Sequence, residues 1–366
     1  MSQVLLWKQI FSNYHNLSLP LNQEQRTSYL SNVSGNQLRV SLTNEFGQTP
    51  LTVTKISVSA TEDFTCEQLL SLNGQQVFSI PAGETCWTDW ISFDSKVSQS
   101  LYFSIKATND SNGCFTLANT LDNRIVNVLQ PLADEYPTFY FGIESIEVTT
   151  SASPKLLTFF GDSLTSQGYF TSELTRLLYK EFPNELTATN AGISGNRLLR
   201  AGNSISEWSD SFGEAGINRF KKDVLDFSPD IVFFLAGIND LFHPGAGSPT
   251  EELPTAKEII HGIQSLQKLC EKNGAIFCPA TLTPFKGSTN HGIPSWTPEK
   301  ERIRNEVNQF ILTLPHAIHL ARFTCEEDLA SLKKDFDSGD HLHFSSFGGK
   351  KIGAYAADSL AKLISQ

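Results

Sequence analysis

The sequence predicts two domains of different class: an all-β sandwich or jelly roll over residues 1–150, then a doubly wound α/β domain with a parallel sheet over residues 151–366. Three observations predict this. Up to about residue 150, short runs alternate apolar and polar residues between Gly, Asn and Ser turns, with almost no helical stretch. From residue 155 the apolar runs become continuous, as strands buried on both faces of a parallel sheet require. Helical patterns lie between those runs, and strands alternating with helices make an α/β domain.

Length and composition agree with this division. A chain of 366 residues fits about two domains. Its 40% hydrophobic and 18% charged residues belong to a folded globular protein and exclude a disordered one. The 28 basic and 39 acidic residues give a net charge of -11, which disfavours nucleic acid and anionic membrane surfaces as partners. The opening stretch MSQVLLWKQIFSNYHN has no basic n-region, and its apolar run breaks at Lys8. It reads neither as a secretory signal nor as a membrane span, so a cytoplasmic protein without membrane insertion is expected. Cys66, Cys86, Cys114, Cys270, Cys278 and Cys325 form no CxxC pair and are expected as reduced thiols. Asn16-Leu17-Ser18 and Asn32-Val33-Ser34 match the glycosylation sequon but carry little weight without a leader. Nothing in the sequence sets the oligomeric state.

In the first half, Leu38, Val40 and Leu42 alternate with Arg39, Ser41 and Thr43, and the run stops at Asn44-Glu45-Phe46-Gly47. Leu101, Phe103, Ile105 and Ala107 alternate in the same way with Tyr102, Ser104, Lys106 and Thr108. Similar runs near 51–60, 76–81, 87–93 and 138–149 complete the set expected of a sandwich or jelly roll. Trp87 and Trp90, three apart, would face opposite sides of a regular strand, so at most one could serve a binding face.

In the second half, Leu156–Phe160, Ile231–Leu235 and Ala275–Cys278 read as buried strands. Phe170, Leu174, Leu177, Leu178 and Phe182 share one helical face. Residues 255–273 form a helix opening with a Thr255/Glu258 capping box and closing at Asn273-Gly274. Another begins at Thr297 with Pro298 in its first turn, and Phe347–Ile364 is the last. In this architecture ligands bind at the carboxyl ends of the strands.

Four segments near those ends carry polar residues. Gly161-Asp162-Ser163-Leu164-Thr165 follows the first strand, where a serine on a tight strand-to-helix turn is exposed near a helix amino end. By itself the segment is equally a capped turn. Asn190-Ala191-Gly192-Ile193-Ser194-Gly195-Asn196 follows a strand over 185–190, and its glycines allow close backbone approach to a ligand. In Gly237-Ile238-Asn239-Asp240 the asparagine amide could donate to an oxyanion or close an Asx-turn. Asp340-His341-Leu342-His343 supplies an imidazole base and a carboxylate to orient it, or a solvated surface pair.

Together, Ser163, Gly195, Asn239, Asp340 and His343 occur in the order of the four blocks of the SGNH hydrolases, which read GDS, a glycine block, GxND and DxxH. The chain resembles that family from about 155 to 350. The resemblance implies a flavodoxin-like fold, Ser163 as nucleophile, His343 as general base and Asp340 as its orienting acid. It also implies an oxyanion hole made of the Ser163 and Gly195 N–H groups and the Asn239 amide. The stretches SGNQLRVSLTNEFGQTPL, GISGNRLL, ATLTPFKG and SGDHLHF resemble the two-domain xylan-esterase-like subgroup, which places a β-sandwich before the catalytic domain. Phe344 stands where that subgroup has proline. His341 is a rival base and Asp337 a rival acid, with the block pattern favouring His343; His341 could instead line a substrate pocket. Arg197 and His243 are read as structural or solvated, with substrate contact as the alternative. His316 and His319 are read as strand histidines, not metal ligands.

The activity the resemblance implies is hydrolysis of a short-acyl ester, such as an O-acetyl group on a carbohydrate, with no metal or organic cofactor. The partner is then a small-molecule or carbohydrate ester. Alternatives are a lysophospholipase- or thioesterase-like activity, an acyltransferase, and a carbohydrate-binding protein with a vestigial catalytic half.

Overall fold

A computed structural model describes residues 1–365 apart from 18, 22, 23, 112 and 203. The sequon at Asn16 therefore ends outside the described residues. The chain divides into two compact units, Met1–Lys155 with Leu178–Thr189, and Leu156–Leu177 with Asn190–Gln366.

Within residues 1–155, two groups of strands pair antiparallel. In one group, Phe139–Thr150 lies between Ser2–Gln9 and Gly35–Thr43, with Val148 opposite both Val4 and Leu38. In the other, Val126–Gln130, Gln25–Leu30, Ser100–Thr108 and Leu51–Ser59 stand side by side. Alternating residues such as Leu38, Val40 and Leu42 are buried between the two sheets along with Phe103 and Ile105. That burial is what period-two patterning predicts for a sandwich. Gln25, fully buried, ties one sheet to the other: its amide donates to Phe139 O at 3.0 Å and accepts from Phe141 N–H at 3.0 Å.

Two local expectations change here. The run near 87–93 is not one strand but two, Thr85–Trp87 and Ile91–Ser95, so the pleat does not separate the tryptophans. Both rings instead pack on the Arg39 guanidinium, 4.5 Å from Trp87 and 4.7 Å from Trp90, while Arg39 pairs with Glu147. Asn32 is buried and its amide donates to Phe182 O and Leu186 O, so no glycan fits on it.

The second unit is built on parallel strands. Leu157 stands opposite Ile231, and Gly161 opposite Leu235; Ile231 in turn stands opposite Ile276. Ile193 N–H donates to Gly161 O and so lays the end of strand Leu186–Gly192 beside the end of Lys155–Gly161. A single parallel bridge from Ala280 to Ile318 extends the other edge. The resulting order of second, first, third and fourth strands is the doubly wound one, with its switch point between the first and third. Phe159, Phe170 and Phe233 pack together below it.

The helices follow their sequence signals. Ala256–Lys272 carries the complete Thr255/Glu258 capping box, and Gly274 just beyond it has φ +75°. Pro298–Ile311 is capped by Thr297, and Ser346–Ile364 by Ser345. Gly353 lets this last helix press onto Tyr169–Glu181: a Cβ there would lie 2.8 Å from Phe170 O and from the Glu173 Cβ. This docking anchors the segment just before it, which carries His343. His316 and His319 lie in a turn and just before a short helix, on either side of the Ile318 bridge, not within a strand as expected.

Candidate active site

The first strand ends at Gly161, and the chain turns at Asp162 into the short helix Ser163–Ser166. Asp162 caps it by accepting the Leu164 N–H at 3.0 Å. Burial pushes the Asp162 carboxyl up to about 7, although that N–H pulls the other way. The cap fixes Ser163 at the strand end, 6% exposed. Its hydroxyl lies 2.8 Å from His343 Nε2.

On the opposite side of the ring, His343 Nδ1 lies 2.6 Å from Asp340 Oδ2. The other carboxylate oxygen accepts the backbone N–H groups of His343 and Leu342 at 2.8 and 3.0 Å. Partial burial works to raise the Asp340 carboxyl, but the imidazole hydrogen bond, its charge and the two N–H groups outweigh it. They hold the acid well below the ordinary range. An ionised Asp340 keeps the proton on Nδ1, leaving the Nε2 lone pair to accept the Ser163 O–H. This chain can take a proton from the serine and return it.

The rival pair occupies the same loop and does not reach the serine. His341 Nδ1 contacts Asp337 Oδ2 at 2.6 Å, with the His341 side chain 54% exposed. Asp337 Oδ1 accepts the N–H groups of Gly339 and His341. Two interleaved acid–imidazole pairs thus stand on one turn, and His343 alone meets Ser163. His341 is not in the wall of the cleft.

Gly195 and Asn239 stand in the wall of the same cleft as Ser163 and His343. Gly195 has φ +75°, and a Cβ there would overlap the Phe212 ring, so only glycine fits. Asn239 lies in the short helix Ile238–Phe242, entered through Gly237 at φ +114°. One of its amide N–H groups donates to Asn196 O at 3.0 Å. An amide carries two, so the group can hold the loop and still offer a donor.

Three residues that sequence reading did not single out hold these loops. Asp240, fully buried, accepts the N–H groups of Leu198 and Leu199 at 2.6 and 3.0 Å, tying the third block to the second. Asn196 donates to Phe212 O and Glu214 O. Arg219, also buried, donates to Gly161 O at 2.8 Å, Ala191 O at 2.9 Å and Asn196 Oδ1 at 2.9 Å, and pairs with Asp223 at 3.0 Å. It clamps the ends of the first two strands. Arg197 takes the structural reading, buried against Glu252.

Replacing Arg219 by Met should cost about 3–5 kcal/mol, because it leaves Asp223 charged without its partner and takes a buried donor away from Gly161 O, Ala191 O and Asn196 Oδ1. Urea unfolding should show this as a lower midpoint; an unchanged midpoint would remove the clamp.

The cleft has a volume of about 530 Å3, and Trp208, Phe212 and Phe242 supply its aromatic surface. No group of histidines, cysteines and carboxylates suited to a metal occurs among the described residues. None of their helices is long and apolar enough to cross a membrane.

Residues 159–351, more than half of the chain, match the GDSL-like lipase/acylhydrolase family. The chain belongs to that family. Among solved structures, it is similar to the acetyl xylan esterase AlAXEase, with 19% identity, 56% of this chain and 99% of that one covered, and a TM-score of 0.41. An acetyl xylan esterase from Geobacillus stearothermophilus gives 19% identity, 58% and 95% coverage, and a TM-score of 0.40. A lipase/acylhydrolase from Enterococcus faecalis gives 18%, 57% and 96%, and 0.42. No curated protein matches the chain. As a GDSL-family hydrolase, it has Ser163 within its matched region, together with Gly195, Asn239, Asp340 and His343.

Proposed function

We propose that this hydrolase is a serine esterase cleaving short-chain carboxylic esters, carbohydrate O-acetyl esters among them. The observation that carries this reading is the unbroken hydrogen-bond chain from Asp340 through His343 to the Ser163 hydroxyl. His343 takes the Ser163 proton as Oγ attacks the ester carbonyl, then gives it to the departing alcohol. The N–H groups of Ser163 and Gly195 and the Asn239 amide stabilise the tetrahedral oxyanion. Water deprotonated by His343 releases the acid and restores the serine. Residues 151–366 act as the catalytic domain and residues 1–150 as its accessory. Arg39 stacks on Trp87 and on Trp90, which supports a packing role for the two rings over a sugar-binding one.

A series of p-nitrophenyl esters tests the acyl length. The highest kcat/KM is expected at acetate or propionate. A maximum at octanoate or beyond would replace this reading with a lysophospholipase- or thioesterase-like one, and acyl transfer to an added alcohol in water would mark an acyltransferase.

A further inference from the structure

Beside the serine, the cleft wall holds polar groups that the reaction does not use. His243, 3% exposed, lines the cleft between the rings of Phe212 and Phe242, at 5.3 and 5.4 Å between centroids. Neither of its ring nitrogens has a hydrogen-bond partner. The Gly195 carbonyl lies near enough to favour the protonated ring, but forms no hydrogen bond of normal geometry with it. Asn290, from the hairpin Thr289–Pro294, lines the same cleft, and its buried Nδ2 also lacks a partner.

Buried polar groups in folded proteins are nearly all hydrogen-bonded, and each exception calls for an explanation. Packing does not supply one here, because a Phe or Leu would fill the space between two aromatic rings without an unpaired nitrogen. A cluster of exceptions in the wall of a cleft that holds a nucleophile fits a ligand that completes them.

The chemistry of the three atoms narrows the ligand. Burial, and then the positive charge of Arg197, push the imidazole down to about 4, so it is neutral at working pH. A neutral imidazole offers one N–H and one lone pair, and the amide offers N–H donors. A hydroxyl group both donates and accepts, and so matches this set. An alkyl chain or a bare aryl ring matches none of it and would leave the groups unpaired.

We propose that His243 and Asn290 form a subsite for a hydroxyl-bearing part of the ester, His243 setting the preference for polyol esters over aryl and alkyl esters. This rests on the esterase reading above and adds a specificity determinant to it. Phe212 and Trp208 give the subsite the flat apolar surface against which a sugar ring stacks.

The test compares kcat/KM for an acetylated methyl xyloside with that for p-nitrophenyl acetate. In the wild type both are hydrolysed; if neither is, the esterase reading fails and not the subsite alone. For His243→Leu, the ratio of xyloside to aryl ester is expected to fall by roughly 10-fold or more, as lost polar recognition implies. His243→Gln, which keeps a donor and an acceptor, should restore most of that ratio. Asn290→Leu, on the hairpin, should lower the ratio in the same direction and carries the test if the His243 variants do not fold. An unchanged ratio in the folded variants, whether both activities fall together or neither moves, would overturn the subsite.

Discussion

Replacing Ser163 by Ala is expected to lower kcat on short esters by roughly 10⁴-fold or more, with KM changed only a few-fold. The expectation comes from the neighbours of the hydroxyl as much as from the hydroxyl itself. Ser163 Oγ is the group that meets His343 Nε2. Ser194 also lines the cleft, but its hydroxyl lies 2.9 Å from that of Ser166 and is not presented to the imidazole. Without Ser163, His343 has no hydroxyl to activate except that of water, and the covalent route closes. The aromatic wall is left intact, which is why binding should survive the change. The fold should survive it too, because the Asp162 cap on Leu164 N–H does not involve the serine side chain. Near-normal ester turnover by the alanine variant, measured on protein purified free of contaminating esterase, would sink the assignment. An alkylfluorophosphonate that labels wild-type protein but not the variant would support it from an independent direction.

Much of this site can be read from the sequence because its parts are local. The capped turn and the proposed nucleophile are compatible readings of Gly161-Asp162-Ser163-Leu164, since the cap leaves the Ser163 hydroxyl to meet His343. Asp162 caps the helix, and the cap is what holds Ser163 at the strand end. The continuous apolar runs 156–160 and 231–235 identify adjacent parallel strands because both of their faces are buried. The spacing of Asp340 and His343 is equally local, since a three-residue offset closes the acid–imidazole pair within one turn.

What escaped reading depends on distant partners. Arg219 looks like an ordinary charged helical residue, and its partners Gly161, Ala191 and Asn196 come from two other segments. Strand Ser2–Gln9 escaped for a related reason. Its register shifts between Leu5 and Trp7, and Lys8 is buried 3.3 Å from Glu144, so polar and apolar residues do not alternate along it. Strand Gln25–Leu30 is mostly polar, because buried Gln25 is spent on joining the two sheets. In each case a tertiary partner replaces the local signal that patterning relies on.

Asp340→Asn and Asp337→Asn separate the two interleaved pairs. In Asp340→Asn the single carbonyl oxygen is needed under the N–H groups of His343 and Leu342, which converge on Asp340 Oδ1. The new NH2 then faces Nδ1, which must accept, so the imidazole proton moves to Nε2. A protonated Nε2 donates to Ser163 Oγ and cannot take its proton. Turning the amide over does not help, since the NH2 would then meet two backbone donors and unsettle the loop. A loss in kcat of roughly 10³–10⁴-fold is therefore expected, with little change in KM. Asp337→Asn makes the same exchange at His341, because Asp337 also accepts two backbone N–H groups on one oxygen and meets the imidazole with the other. Its imidazole is half-exposed and leads to no reacting group, so kcat should stay within about threefold even though the Asp337 side chain is itself largely buried. The comparison controls for loop damage, since both variants alter an acid that braces the same turn. Equal losses in the two would show that the acids only shape the loop, and a larger loss at Asp337 would transfer the orienting role to it.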